Sequence, residues 1–103
     1  MLIIKNACYE LREILYEAKE RVGLAMECKY ECPNLSSVYI ELVNNMLNQA
    51  EKLHNAIVEY IDKEKTKIKD IPESMNELWK FEHNIYLELY EKVKSKLSIY
   101  NKM

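Results

Sequence analysis

Residues 35–63 read LSSVYIELVNNMLNQAEKLHNAIVEYIDK, and the spacing of the large side chains in this stretch decides the fold. Leu35, Tyr39, Leu42, Met46, Gln49, Ala50, Leu53, Ile57, Tyr60 and Ile61 recur at steps of three and four, the period of one helical face. Ile40, Val43, Leu47 and Val58 widen that stripe to an arc of roughly 200°, more than one neighbouring helix covers. A helix of this kind is expected either to stand at the centre of a bundle or to face a second copy of the chain.

The stretch is bounded on both sides by breaks. CPNLSS (32–37) holds Pro33, with Asn34 and two serines as capping groups, and KTKIKDIPES (65–74) holds Pro72. Asp70 followed by Glu73 has the form of an acidic capping box, with Pro72 in the first turn where it is tolerated. Lys63 to Lys69 is a small basic cluster that reads as a solvated helix end and turn.

Outward from these breaks the helical period continues. The first helix, about 5–31, gathers Ile4, Cys8, Leu11, Leu15, Ala18, Val22, Ala25 and Met26 on one face. The second spans about 35–63. The third, about 71–100, aligns Met75, Leu78, Trp79, Tyr86, Leu89, Val93 and Leu97. Helices of similar length joined by short connections pack as antiparallel neighbours. The expected architecture is therefore all-α, one domain over residues 1–103, an up-down-up three-helix bundle. Tyr9, Tyr16, Phe81, Leu87 and Ile99 are left over by that bundle, so self-association into a dimer or a larger helical assembly is expected.

Composition agrees and excludes much else. One Gly and two Pro among 103 residues disfavour a turn-rich sheet, and a single Gly, Gly23, cannot build a phosphate loop. The net charge is −2 with the signs interspersed, which leaves no basic face for nucleic acid. The apolar run of MLIIKNACYELRE ends too soon for a signal peptide or a membrane span, and a cytoplasmic protein is expected. Cys8, Cys28 and Cys32 are an odd set without a CxxC pair, read as reduced structural thiols. No Ser-His-Asp or Cys-His spacing marks an enzyme.

Two polar residues intrude on the apolar faces. Glu82 sits at the centre of the third helix's stripe, in ELWKFEHNIYLELY (77–90), and His54 sits inside the wide arc of the second. Glu51 lies one turn before His54 on the same side. If the second turn is centred near residues 68 and 69, position 54 comes level with about 83, so His54 and Glu82 share a height. Arg12 on the first helix falls close to that height too. A buried carboxylate needs a partner, and an Arg12, His54 and Glu82 polar cluster that sets helix register is the structural reading. His83 falls nearer the edge of its face, where partial exposure is expected; Trp79 and Tyr86 read as core or interface.

Glu51-x-x-His54 with an inward Glu82 on the neighbouring helix resembles the ferritin-like superfamily of carboxylate-bridged di-iron bundles, over roughly residues 35–100. The resemblance implies a metal set of Glu51, His54 and Glu82 holding iron or manganese. A monomer supplies only half of such a set, so the resemblance also implies a site formed across a dimer. The third helix lacks a second Glu-x-x-His, reading Glu82-His83-Asn84-Ile85, and the order of lone Glu and motif is reversed. In overall layout, through the Trp79–His83 run, the chain is also similar to small uncharacterised helical proteins of bacterial and prophage genomes. The function expected is a small self-associating helical protein with a structural or interaction role, alone or with a protein partner; the alternative is a ferritin-like metal-binding protein.

Overall fold

A computed structural model describes residues 2–67 and 73–103, with side chains described over 3–64 and 76–103. It contains three helices: α1 (Leu2–Cys28), α2 (Pro33–Lys67) and α3 (Glu73–Lys102). The molecule measures 57 × 18 × 17 Å, about the length of α2 at 1.5 Å per residue. All three helices therefore lie side by side along one axis, in the all-α bundle expected from the sequence.

The first connection is tighter than expected. Helix α2 begins at Pro33, two residues early, because a proline at the first helical position has no amide hydrogen to leave unpaired. The amide of Cys32 donates to the Cys28 carbonyl at 2.8 Å and that of Ser36 to the Cys32 carbonyl at 3.0 Å, so the turn is bonded at helical spacing. The serines expected as caps serve differently. Buried Ser36 donates its hydroxyl to the Ala25 carbonyl of α1 at 2.7 Å, which leaves the Tyr100 hydroxyl to donate to Ser36 Oγ at 2.8 Å. Lys29 donates to the Tyr100 carbonyl at 2.6 Å, and the Tyr30 hydroxyl to that of Met103 at 3.1 Å. Orphan carbonyls at the end of α3 are thereby satisfied by the α1–α2 turn. Asp70 of the capping box and the side chains of most of the Lys63–Lys69 cluster lie outside the described residues, as does the Met75 side chain.

Each helix turns a regular seam inward. Ile4, Cys8, Leu11, Leu15, Ala18, Val22 and Ala25 are all buried on α1, at steps alternating four and three. On α2 the buried positions are Ser36, Val43, Leu47, Ala50, Ile57 and Ile61; on α3 they are Glu82, Tyr86, Leu89, Val93 and Leu97. The core face of α2 is thus centred one residue away from the stripe expected for it. Leu35 and Leu42, which headed that stripe, are 47 % and 40 % exposed.

The helix that stands between the others is α1. It packs along both α2 and α3, whereas the backbones of α2 and α3 barely approach each other. The reason is side-chain volume: Cys8, Ala18 and Ala25 on α1 and Ala50 on α2 allow close approach, while His54, Trp79, His83 and Tyr86 hold α2 and α3 apart. Of the two explanations for the wide arc of α2, a central position is therefore removed.

Candidate functional site between the helices

The two polar intruders enter the core at the same level and then part company. Glu82 is 5 % exposed and its Oε2 lies 3.1 Å from Arg12 Nε of α1, the partner expected for it. Neither atom makes a hydrogen bond, so the pair is held by charge while the guanidinium N–H points off the oxygen. Arg12 itself is 36 % exposed and borders a surface pocket of about 360 Å³ lined by Lys5, Asn6, Tyr9, Leu78 and Glu82. Buried Cys8 stands near this pair. Burial first, then the Glu82 charge, push its thiol up to about 11 against the opposing effect of Arg12, so it stays protonated and is no nucleophile at neutral pH.

His54 does not join Glu82. Its Nε2 meets Nδ1 of His83 at 3.0 Å, and the ring stacks on Tyr86 with centroids 4.2 Å apart and 15° between planes. Trp79 closes the other side at 5.4 Å. Burial lowers the His54 pKa, a contact with the Asn55 side chain raises it, and the neighbouring His83 lowers it again. In the contact between the two imidazoles one ring nitrogen donates and the other accepts, according to the tautomer.

Glu51 turns to the solvent side, where the Tyr90 hydroxyl donates a short hydrogen bond to its Oε1. That bond first, then burial and the Glu51 charge, carry Tyr90 up to about 12; burial and the same charge raise Tyr86. Helices α2 and α3 therefore meet through a ladder of rings, Trp79, His83, Tyr86 and Tyr90, with His54 and Glu51 opposite.

Within one chain, then, Arg12 and Glu82 come together as the sequence implied, His54 stands apart from them, and Glu51, His54 and Glu82 do not converge. Among the described residues no group of three His, Cys, Asp or Glu side chains could hold a metal ion. The donors needed for a two-metal carboxylate set are occupied elsewhere: Glu82 by a guanidinium and Glu51 by a phenol. His83 is the residue that sequence reasoning set aside as peripheral. The signal for it was present in the register that brought position 54 level with 83.

The site and fold define a class: a three-helix bundle whose described residues place a half-buried ion pair and a histidine pair in its seams. No family model matches the chain, and neither a curated protein nor a solved structure matches it. No helix among the described residues is long and apolar enough to cross a membrane.

Proposed function

We propose that this chain is a self-associating helical module of the cytoplasm, with a structural or interaction role, whose occupant across the α1–α2 edge is a second copy of itself. One observation carries this reading. Helix α2 bears a second seam beside its buried one, Leu35, Tyr39, Leu42, Met46, Gln49, Leu53, Ala56 and Tyr60, at the same alternation of four and three. Its members are exposed or half-buried, although α1 already occupies the centre of the bundle.

The second seam is continuous with α1. Ile3, Ile4 and Ala7 join Leu53, Ala56, Ile57 and Tyr60 around an apolar groove of about 210 Å³. The seam runs over residues 35–60, most of the length of α2, and a standard interface takes about 800 Å² from each partner. The edge is built from the same chain in every copy, so a two-fold pairing matches apolar seam to apolar seam. The buried Arg12–Glu82 pair serves this role by fixing how α1 and α3 align. Free thiols at Cys8, Cys28 and Cys32 suit a reducing compartment.

Sedimentation equilibrium of the wild type and of Leu42→Glu and Ala56→Glu tests the reading. Both substituted positions are exposed, so the three helices survive the changes. A wild-type mass of twice 12.3 kDa, returning to 12.3 kDa in both variants, is expected. A wild type that stays at 12.3 kDa at high concentration overturns it.

A further inference from the structure

The histidine pair brings ring nitrogens of two different helices to 3.0 Å from each other. We infer that His54 and His83 form a cross-helix chelate for one divalent transition-metal ion of the kind that imidazole prefers, zinc first among them, independent of any association between chains.

Four observations support it. First, the spacing is that of two adjacent ligands: with metal–nitrogen bonds of about 2.05 Å, nitrogens 3.0 Å apart subtend about 94° at the ion. The two rings are tilted by 30° with centroids 5.1 Å apart, and an ion would be reached by turning both rings toward one point beside the line between their nitrogens. Second, a lone pair already faces the gap between the rings, since one of the two nitrogens must accept in their contact. The donor ring needs only to move its hydrogen to its other nitrogen, which leaves that ring neutral and releases no proton.

Third, the rings are held in place by more than each other. Tyr86 stacks on His54, and Trp79 lies against both imidazoles, at 5.4 Å from one and 5.5 Å from the other. Fourth, the pair ties together the two helices whose backbones approach least, so an ion shared by both rings would close the loosest seam of the bundle. Two imidazoles leave the remaining coordination positions to water, and nitrogen donors favour zinc, nickel or copper over the iron or manganese of a carboxylate set.

The chain has only two histidines, and both are in this pair, so the wild type itself reports on the site. Zinc alone is titrated into the metal-free protein while the ring nitrogens of both histidines are followed by NMR. Expected is one ion per chain, with both rings responding along one saturation curve, His54 through Nε2 and His83 through Nδ1. His54→Gln and His83→Gln each weaken binding by at least about tenfold, whereas Glu82→Gln leaves it unchanged. A response from one ring only, from neither ring below millimolar zinc, or a ratio of one ion to two chains overturns the inference. Because the titration is read on histidine nitrogens and stoichiometry, its failure is separate from any failure of the chain to dimerise.

Discussion

Removing Arg12 strands the Glu82 carboxylate, and the consequence can be worked from the structure. Glu82 is 5 % exposed, its Oε2 accepts no hydrogen bond, and Arg12 is the cation beside it. In Arg12→Ala the carboxylate stays in the core without its cation, a loss of about 3–5 kcal/mol for a fully buried pair, and the low end, about 3 kcal/mol, applies because Arg12 is 36 % exposed. Glu82→Leu should behave differently. Arg12 is 36 % exposed at the edge of a pocket and can turn to water, while leucine fills the space of the carboxylate without a desolvation penalty. That variant should stay within about 1 kcal/mol of wild type, and the double variant Arg12→Ala/Glu82→Leu should recover most of the loss. Urea unfolding followed by far-UV circular dichroism, at one protein concentration, measures all four chains. With a slope of about 1.5 kcal/mol/M the Arg12→Ala midpoint should fall by about 2 M. An Arg12→Ala midpoint equal to wild type, or a Glu82→Leu midpoint that falls as far as that of Arg12→Ala, would refute the reasoning.

Two further outcomes follow from the packing around α1. The Cys8 thiol has its pKa raised from 9.0 to about 11 in the fold, so the neutral form is favoured there, and the stability it contributes is complete below pH 9 and lost as pH rises toward 11. Wild type should lose on the order of 2 kcal/mol more than Cys8→Ala across that interval, and parallel alkaline unfolding curves would show that the thiol is not desolvated. Ala50 is fully buried where α1 and α2 approach, so Ala50→Leu has no space for its added carbons and should cost about 2–3 kcal/mol. Its thermal midpoint should drop by on the order of 10 °C; an unchanged midpoint would mean that the helices are further apart than the small residues imply.

How far the sequence could be read depended on whether a feature was local or shared between helices. The seven inward positions of α1 from Ile4 to Ala25 were all legible, because a 3.6-residue period with no competing face leaves one solution. The pairing of Glu82 with Arg12 was legible as one of two partners, and the level of His54 with position 83 followed from counting back from a turn. The face of α2 was not. It carries two seams offset by one residue, 100° apart, and nothing local says which of them the chain will bury.

By itself, then, the sequence determined the class of the fold, the number of helices and the height of each polar residue along the bundle, since propensity, periodicity and turn positions act within a few residues. Tertiary structure decided which helix is central, which seam of α2 is covered, and that His54 turns to His83 while Glu82 turns to Arg12. Those choices depend on how volumes meet across helices. Small side chains on α1 let it approach both neighbours, large rings keep α2 and α3 apart, and a side chain's direction around the helix axis then settles which partner it meets.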